Sequence, residues 1–134
     1  MTAIAAAIDR SSFLRRVVLV DAATCVAMGL LLSLAANMLA PLLELPVLLL
    51  EYAGLSLLPI AAFMAWVATR SDLPRLGVWM VIAGNAAWVA GSILLLVGDW
   101  VSPNMLGYGF VVAQATTVVL LAALEYAGLS KAWR

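Results

Sequence analysis

Four polar side chains sit within long apolar runs of this sequence and are its candidates for chemistry: Asp21, Asn85, Gln114 and Glu125. A charged group at the centre of a membrane helix costs about 2.5–3.5 kcal/mol on insertion scales, so each acid needs a partner or a task. Asp21 is followed on one helical face by Thr24, Cys25 and Met28. Glu125 shares a face with Gln114, Thr117 and Leu121, and Asn85 forms a stripe with Trp88 and Ser92. With apolar runs that begin near residue 17 and end near residue 129, both acids fall about 6 Å inside one boundary, at a rise of about 1.5 Å per residue. Two acids in one layer need a cation, a proton or water. One reading is a polar vestibule in which Asp21 or Glu125 binds a proton or cation. The other, favoured by the shallow depth, is a pair of interfacial anchors held by Arg75 or Lys131. Arg16 is five residues from Asp21, a poor spacing within a helix. Glu51 reads as a similar anchor. Asn85 and Gln114 read first as glue between helices, at about 0.6–2 kcal/mol per bond, and second as ligand contacts.

Other chemistries lack their residues. The chain has no histidine, so the usual general base, haem ligand and metal ligand are missing. One cysteine, Cys25, makes no disulfide framework, zinc cluster or redox pair, and in apolar surroundings it is inert. The only lysine, Lys131, lies at the end of the chain rather than buried for a Schiff base, and no glycine-rich phosphate loop is present. Seven basic residues balance seven acidic ones, which leaves no basic field for nucleic acid. The expectation is a protein that is not an enzyme and holds no cofactor or metal.

The elements that position these residues follow from hydropathy. Apolar residues make up 66% of the 134 and charged ones 10%, against about 45–50% and about 25% in soluble domains. A water-facing surface cannot be built from that composition, so the bilayer is the solvent. Four stretches, at about 17–39, 47–68, 76–97 and 106–129, reach the roughly 20 apolar residues that a membrane helix needs. Turn and stop residues separate them: Pro41, Glu44 and Pro46, then Ser71, Asp72 and Pro74, then Gly98, Asp99, Pro103 and Asn104. Short connections predict an all-α, up-down-up-down four-helix bundle whose consecutive helices are antiparallel neighbours.

All seven positive residues fall on one side: Arg10, Arg15, Arg16, Arg70, Arg75, Lys131 and Arg134. The opposite loops carry only Glu44 and Asp99. By the positive-inside rule both termini are cytoplasmic. Trp66, Trp79, Tyr126 and Trp133 fall at the same end, and Tyr52, Trp100 and Tyr108 at the other, as two interfacial belts would; Trp88 is mid-span. Residues 1–16 read as a cytoplasmic segment whose start lies in the interface, 17–129 as the membrane domain, and 130–134 as a cytoplasmic tail. The first span, longer than a signal-peptide core, reads as a retained anchor.

Two further patterns bear on packing. A shift of 62 residues lays Gly29, Leu32, Leu34 and Pro41 over Gly91, Leu94, Leu96 and Pro103, the frame of two parallel hairpin repeats. Ala83, Ala87 and Gly91 form a small-residue ridge on the third span, which predicts a close helix–helix contact within the bundle or between subunits. Pro59 removes one hydrogen bond from the second span and predicts a kink.

The frame RRVVLVDA (15–22), LAPLLELP (39–46), AGLSLLP (53–59), VWxVIAxNxxWV (78–89) and LGYGFVVAQA (106–115) covers nearly the whole chain. It resembles a group of small bacterial four-span integral membrane proteins with no assigned function. The resemblance implies the bacterial inner membrane and brings no catalytic residue. The first functional expectation is an interaction or accessory bundle, with membrane lipids and another membrane protein or a second copy as partners. The alternative is an oligomeric proton- or cation-linked transporter or channel whose path is lined by Asp21, Asn85, Gln114 and Glu125. A third is a bundle that binds lipid or another apolar ligand.

Overall fold

The computed structural model describes the backbone of residues 2–132 and the side chains of residues 11–132. Five helices and no strand are present among them: α1 (Thr2–Leu34), α2 (Ala36–Leu43), α3 (Val47–Thr69), α4 (Arg75–Val97) and α5 (Met105–Ala132). Four stretches are long and apolar enough to cross a membrane: Ser11–Leu34, Val47–Thr69, Arg75–Val97 and Met105–Ala132. This is the all-α, four-span bundle that the hydropathy predicts. Trp133 and Arg134, and the side chains of Arg10 and of the expected interfacial start of the chain, lie outside the described residues.

The first boundary differs from expectation. The run predicted to end near residue 39 breaks at Ala35, and α2 continues it as a separate short helix. Ser33 Oγ donates back to the Gly29 carbonyl at 2.6 Å just before the break. Such back-bonding competes with the helix ladder and bends it. The α2 helix ends at Glu44, whose φ of 54° is left-handed and carries a Cβ penalty that glycine avoids.

Prolines start two of the spanning helices. Pro46 and Pro74 stand at the N-caps of α3 and α4, where the missing N–H costs nothing. Asn104 starts α5: its Oδ1 accepts from the Gly107 N–H at 2.8 Å, while its Nδ2 donates to the Leu42 carbonyl at 2.9 Å. One side chain thus caps α5 and clips it to the end of α2. At the opposite, basic end, Arg15 of α1 donates to the carbonyls of Ala68 and Arg70, capping the last turn of α3.

The helices are arranged in the order α3, α1, α5, α4. The α1–α3, α1–α5 and α4–α5 pairs pack extensively. The consecutive pair α3 and α4, expected as packed neighbours, touch little beyond the turn that joins them, where Val67 lies against Gly77. A short loop keeps two helix ends together and does not hold their bodies in contact. Two apolar cores result. One, at the basic end, is built on Leu14, Val18, Met64, Val67, Val78 and Leu129; the other, at the acidic end, on Leu32, Leu43, Leu45, Leu50, Leu57 and Val111.

Candidate functional site: a groove between two helices with an acid–amide end

Asp21, Asn85 and Glu125 come together. They project from α1, α4 and α5 and are 1%, 5% and 0% exposed. Asn85 Nδ2 donates to Asp21 Oδ2 at 2.7 Å and to Glu125 Oε2 at 3.1 Å. One amide thus ties three helices. The Cys25 thiol is 3.8 Å from Asp21 Oδ1, one helical turn away. Glu125 Oε1 is buried and receives no hydrogen bond.

This corrects the picture of shallow anchors. Both carboxyl groups are buried inside the bundle rather than reaching bulk water at its rim. Asn85 donates to both acids. Arg15, one residue before the Arg16 weighed above, donates to the α3 carbonyls.

Gln114 joins a second network one layer toward the acidic end. Trp88 Nε1 donates to Gln114 Oε1 at 2.8 Å, and Gln114 Nε2 donates to Ser92 Oγ at 2.9 Å and to the Val111 carbonyl at 3.0 Å. Ser92 Oγ in turn donates to the Trp88 carbonyl at 2.9 Å. The expected interhelical glue is therefore present in both layers, and the mid-span tryptophan has a half-buried partner for its N–H. Gln114 does not touch the acids; the four expected polar residues form two clusters.

Both clusters border an opening. A cavity of about 660 Å³ is lined by Asp21, Thr24, Cys25 and Met28 of α1, Ile60, Phe63 and Met64 of α3, Met80, Gly84, Asn85 and Trp88 of α4, and Gln114 and Thr117 of α5. A second, of about 560 Å³, shares Met28, Ile60, Gly84, Trp88 and Gln114 with it and continues toward Leu45, Leu49 and Phe110. Together they make one groove along the unpacked α3–α4 seam. Its walls are apolar except at the acid–amide end and beside Gln114. Pro59, expected to kink α3, lines it too.

The Ala83–Ala87–Gly91 ridge does not make the contact that its pattern predicts within this chain. All three are exposed, and a Cβ at Gly91 or at Gly84 meets nothing within 4 Å. Ala87 and Gly91 instead line the groove. The close helix contact lies elsewhere, at a pair that the reading of the sequence missed. A Cβ at Gly54 of α3 would sit 2.6 Å from Ser33 N and 2.8 Å from the Gly29 carbonyl of α1. The two glycines are 25 residues apart on different spans, so no small-residue period on a single helix reveals them. Gly29 and Gly91, aligned by the expected repeat, occupy opposite environments: one is wedged against α3 and the other faces open space.

Among the described residues no group of three or more Cys, Asp or Glu is placed to hold a metal ion. Comparison of the chain with family models, curated proteins and solved structures finds no match. The class that fold and site define is thus a multi-pass membrane helix bundle with a lateral groove.

Proposed function

We propose that this protein is a non-enzymatic membrane bundle that binds an amphipathic small molecule drawn sideways from the bilayer into the α3–α4 groove. The observation that carries the reading is the groove itself: apolar along its length, polar at one end, and unpacked along one seam. Pockets for organic ligands of drug size run to about 300–1,000 Å³, mostly apolar with a few placed polar groups. Packing supports the same reading. A helix that buries no face against its neighbour exposes apolar side chains to whatever fills the gap, and here Ile60 and Met80 flank it, 38% and 54% exposed. Lipid chains or a ligand satisfy them; water does not.

The test uses the purified full chain in a non-ionic detergent and the uncharged fluorescent probe N-phenyl-1-naphthylamine. Saturable binding is expected in the wild type and its loss in Gly84→Phe, which fills the groove from a position where added atoms meet no neighbour. Binding that Gly84→Phe leaves unchanged overturns the reading.

The setting that goes with this function is the bacterial inner membrane with both termini cytoplasmic, supported by five described basic residues at one end (Arg15, Arg16, Arg70, Arg75 and Lys131) and by Glu44 and Asp99 at the other. Cysteines introduced at Glu44 and at the C-terminus check it in intact cells: only the first is expected to react with an impermeant maleimide, and reaction of the second reverses the orientation.

A further inference from the structure

We infer that the ligand of the groove is a lipophilic organic cation, whose charged head is received by Asp21 at the acid–amide end; this rests on the groove being a binding site, as proposed above. The argument is one of charge and unfilled hydrogen bonds. The polar end presents Asp21 and, behind it, Glu125, bridged by Asn85. Asn85 supplies one donor to each carboxyl group, and each carboxylate oxygen can accept two. Glu125 Oε1 is wholly buried and has no donor. Asp21 thus brings an acid to the cavity end, with Glu125 and its unmet Oε1 behind it and lining neither cavity, and a buried acid pair is stabilised by an added positive charge. No basic side chain lines either cavity. An anionic head there meets carboxylates with nothing to offset them. A neutral head leaves Glu125 and Asp21 as they are and gains only the apolar wall.

The rest of the groove suits the body of such a ligand. Phe63 and Ile60 of α3 face Met28 of α1 and Trp88 of α4 across it. Cys25, Met28, Met64 and Met80 contribute soft, polarizable sulfur to its basic-end half, and methionine adapts its shape to irregular apolar bodies. The open α3–α4 seam admits a molecule already dissolved in the membrane, so the head need not cross the Arg-rich rim.

The experiment compares two probes of the same shape and opposite charge, tetraphenylphosphonium and tetraphenylborate, as competitors of bound N-phenyl-1-naphthylamine on the full chain. To cancel the unequal partition of the two ions into detergent, each is read as the ratio of wild type to Asp21→Asn. Tetraphenylphosphonium is expected to lose roughly tenfold or more in affinity in Asp21→Asn, the order expected for one charge pair partly screened from water. Tetraphenylborate is expected to hold or gain affinity in the same variant. Glu125→Gln is expected to act in the same direction more weakly, since Glu125 stands behind Asp21. Retained binding of the neutral probe shows that each variant is folded. Equal ratios for the two ions, with the neutral probe still bound, overturn the cationic ligand and leave the groove reading standing. Neutral-probe binding that Gly84→Phe leaves unchanged overturns both.

Discussion

Two seams of this bundle use glycine for opposite ends. Between α1 and α3, Gly29 and Gly54 bring backbone against backbone, and neither has room for a Cβ. Between α3 and α4, Gly84 and Gly91 have no neighbour within 4 Å. The first pair closes a contact, and the second leaves a space. Small residues in a membrane helix therefore mark close approach only when a partner helix arrives at the same height. Otherwise they mark a hollow, which van der Waals packing must fill with lipid or ligand.

The comparison can be broken most severely at Gly54. Gly54→Leu drives side-chain atoms into the Ser33 and Gly29 backbone, which cannot give way as a flexible side chain does. Overpacking costs typically about 1–3 kcal/mol and more against backbone, so a loss of about 3 kcal/mol or outright failure to fold is expected in a detergent unfolding titration. A wild-type midpoint would show that the two helices can slide apart freely.

The acid–amide end comes next. Asn85→Leu removes the donor shared by Asp21 and Glu125, and leaving buried acceptors unmet costs about 1–3 kcal/mol each. A fall of about 2–4 kcal/mol is expected, together with loosening of α4 from α1 and α5 seen by amide hydrogen exchange. In Asn85→Asp the loss is expected to be as large, because a third acid replaces the bridging donor. Stability equal to wild type in both variants would mean that the three helices are held by apolar contacts alone.

The second polar layer is milder. Gln114→Leu frees the Trp88 N–H and the Ser92 hydroxyl, and the expected cost is about 1–2 kcal/mol with a shift in tryptophan emission. An unchanged emission spectrum would remove Trp88 from the network.

The smallest effect sharpens the contrast with Gly54. Gly91→Leu points into the open seam and is expected to change stability by less than about 0.5 kcal/mol, in line with substitutions away from packed features. Its effect belongs on ligand occupancy instead. A loss comparable to that of Gly54→Leu would show that the seam is closed by another helix in the membrane.

Much of the architecture is legible in the sequence because hydropathy over about 20 residues is a local property. The four spans, their turns and the sorting of basic residues to one end all follow from residues near one another in the chain. Pro46, Pro74 and Asn104 start helices through their own backbone and side-chain chemistry, which no distant contact alters. The face shared by Asp21, Thr24, Cys25 and Met28 is also local, and the structure sets all four along one cavity. Which polar residues meet is a different kind of question. Asn85 joins Asp21 and Glu125 across separations of 64 and 40 residues, while Gln114 falls to Trp88 and Ser92. Those pairings depend on the relative height and rotation of whole helices, and the sequence read alone gives rotation only modulo the unknown partner. The burial of Asp21 was likewise decided by the helices that pack around it, and the open α3–α4 seam by α4 packing on α5 rather than on its neighbour in the chain. Apolar composition determined that the chain lives in a bilayer; tertiary packing alone decided where that bilayer bundle is left hollow, because a cavity is the absence of a contact and no residue encodes it singly.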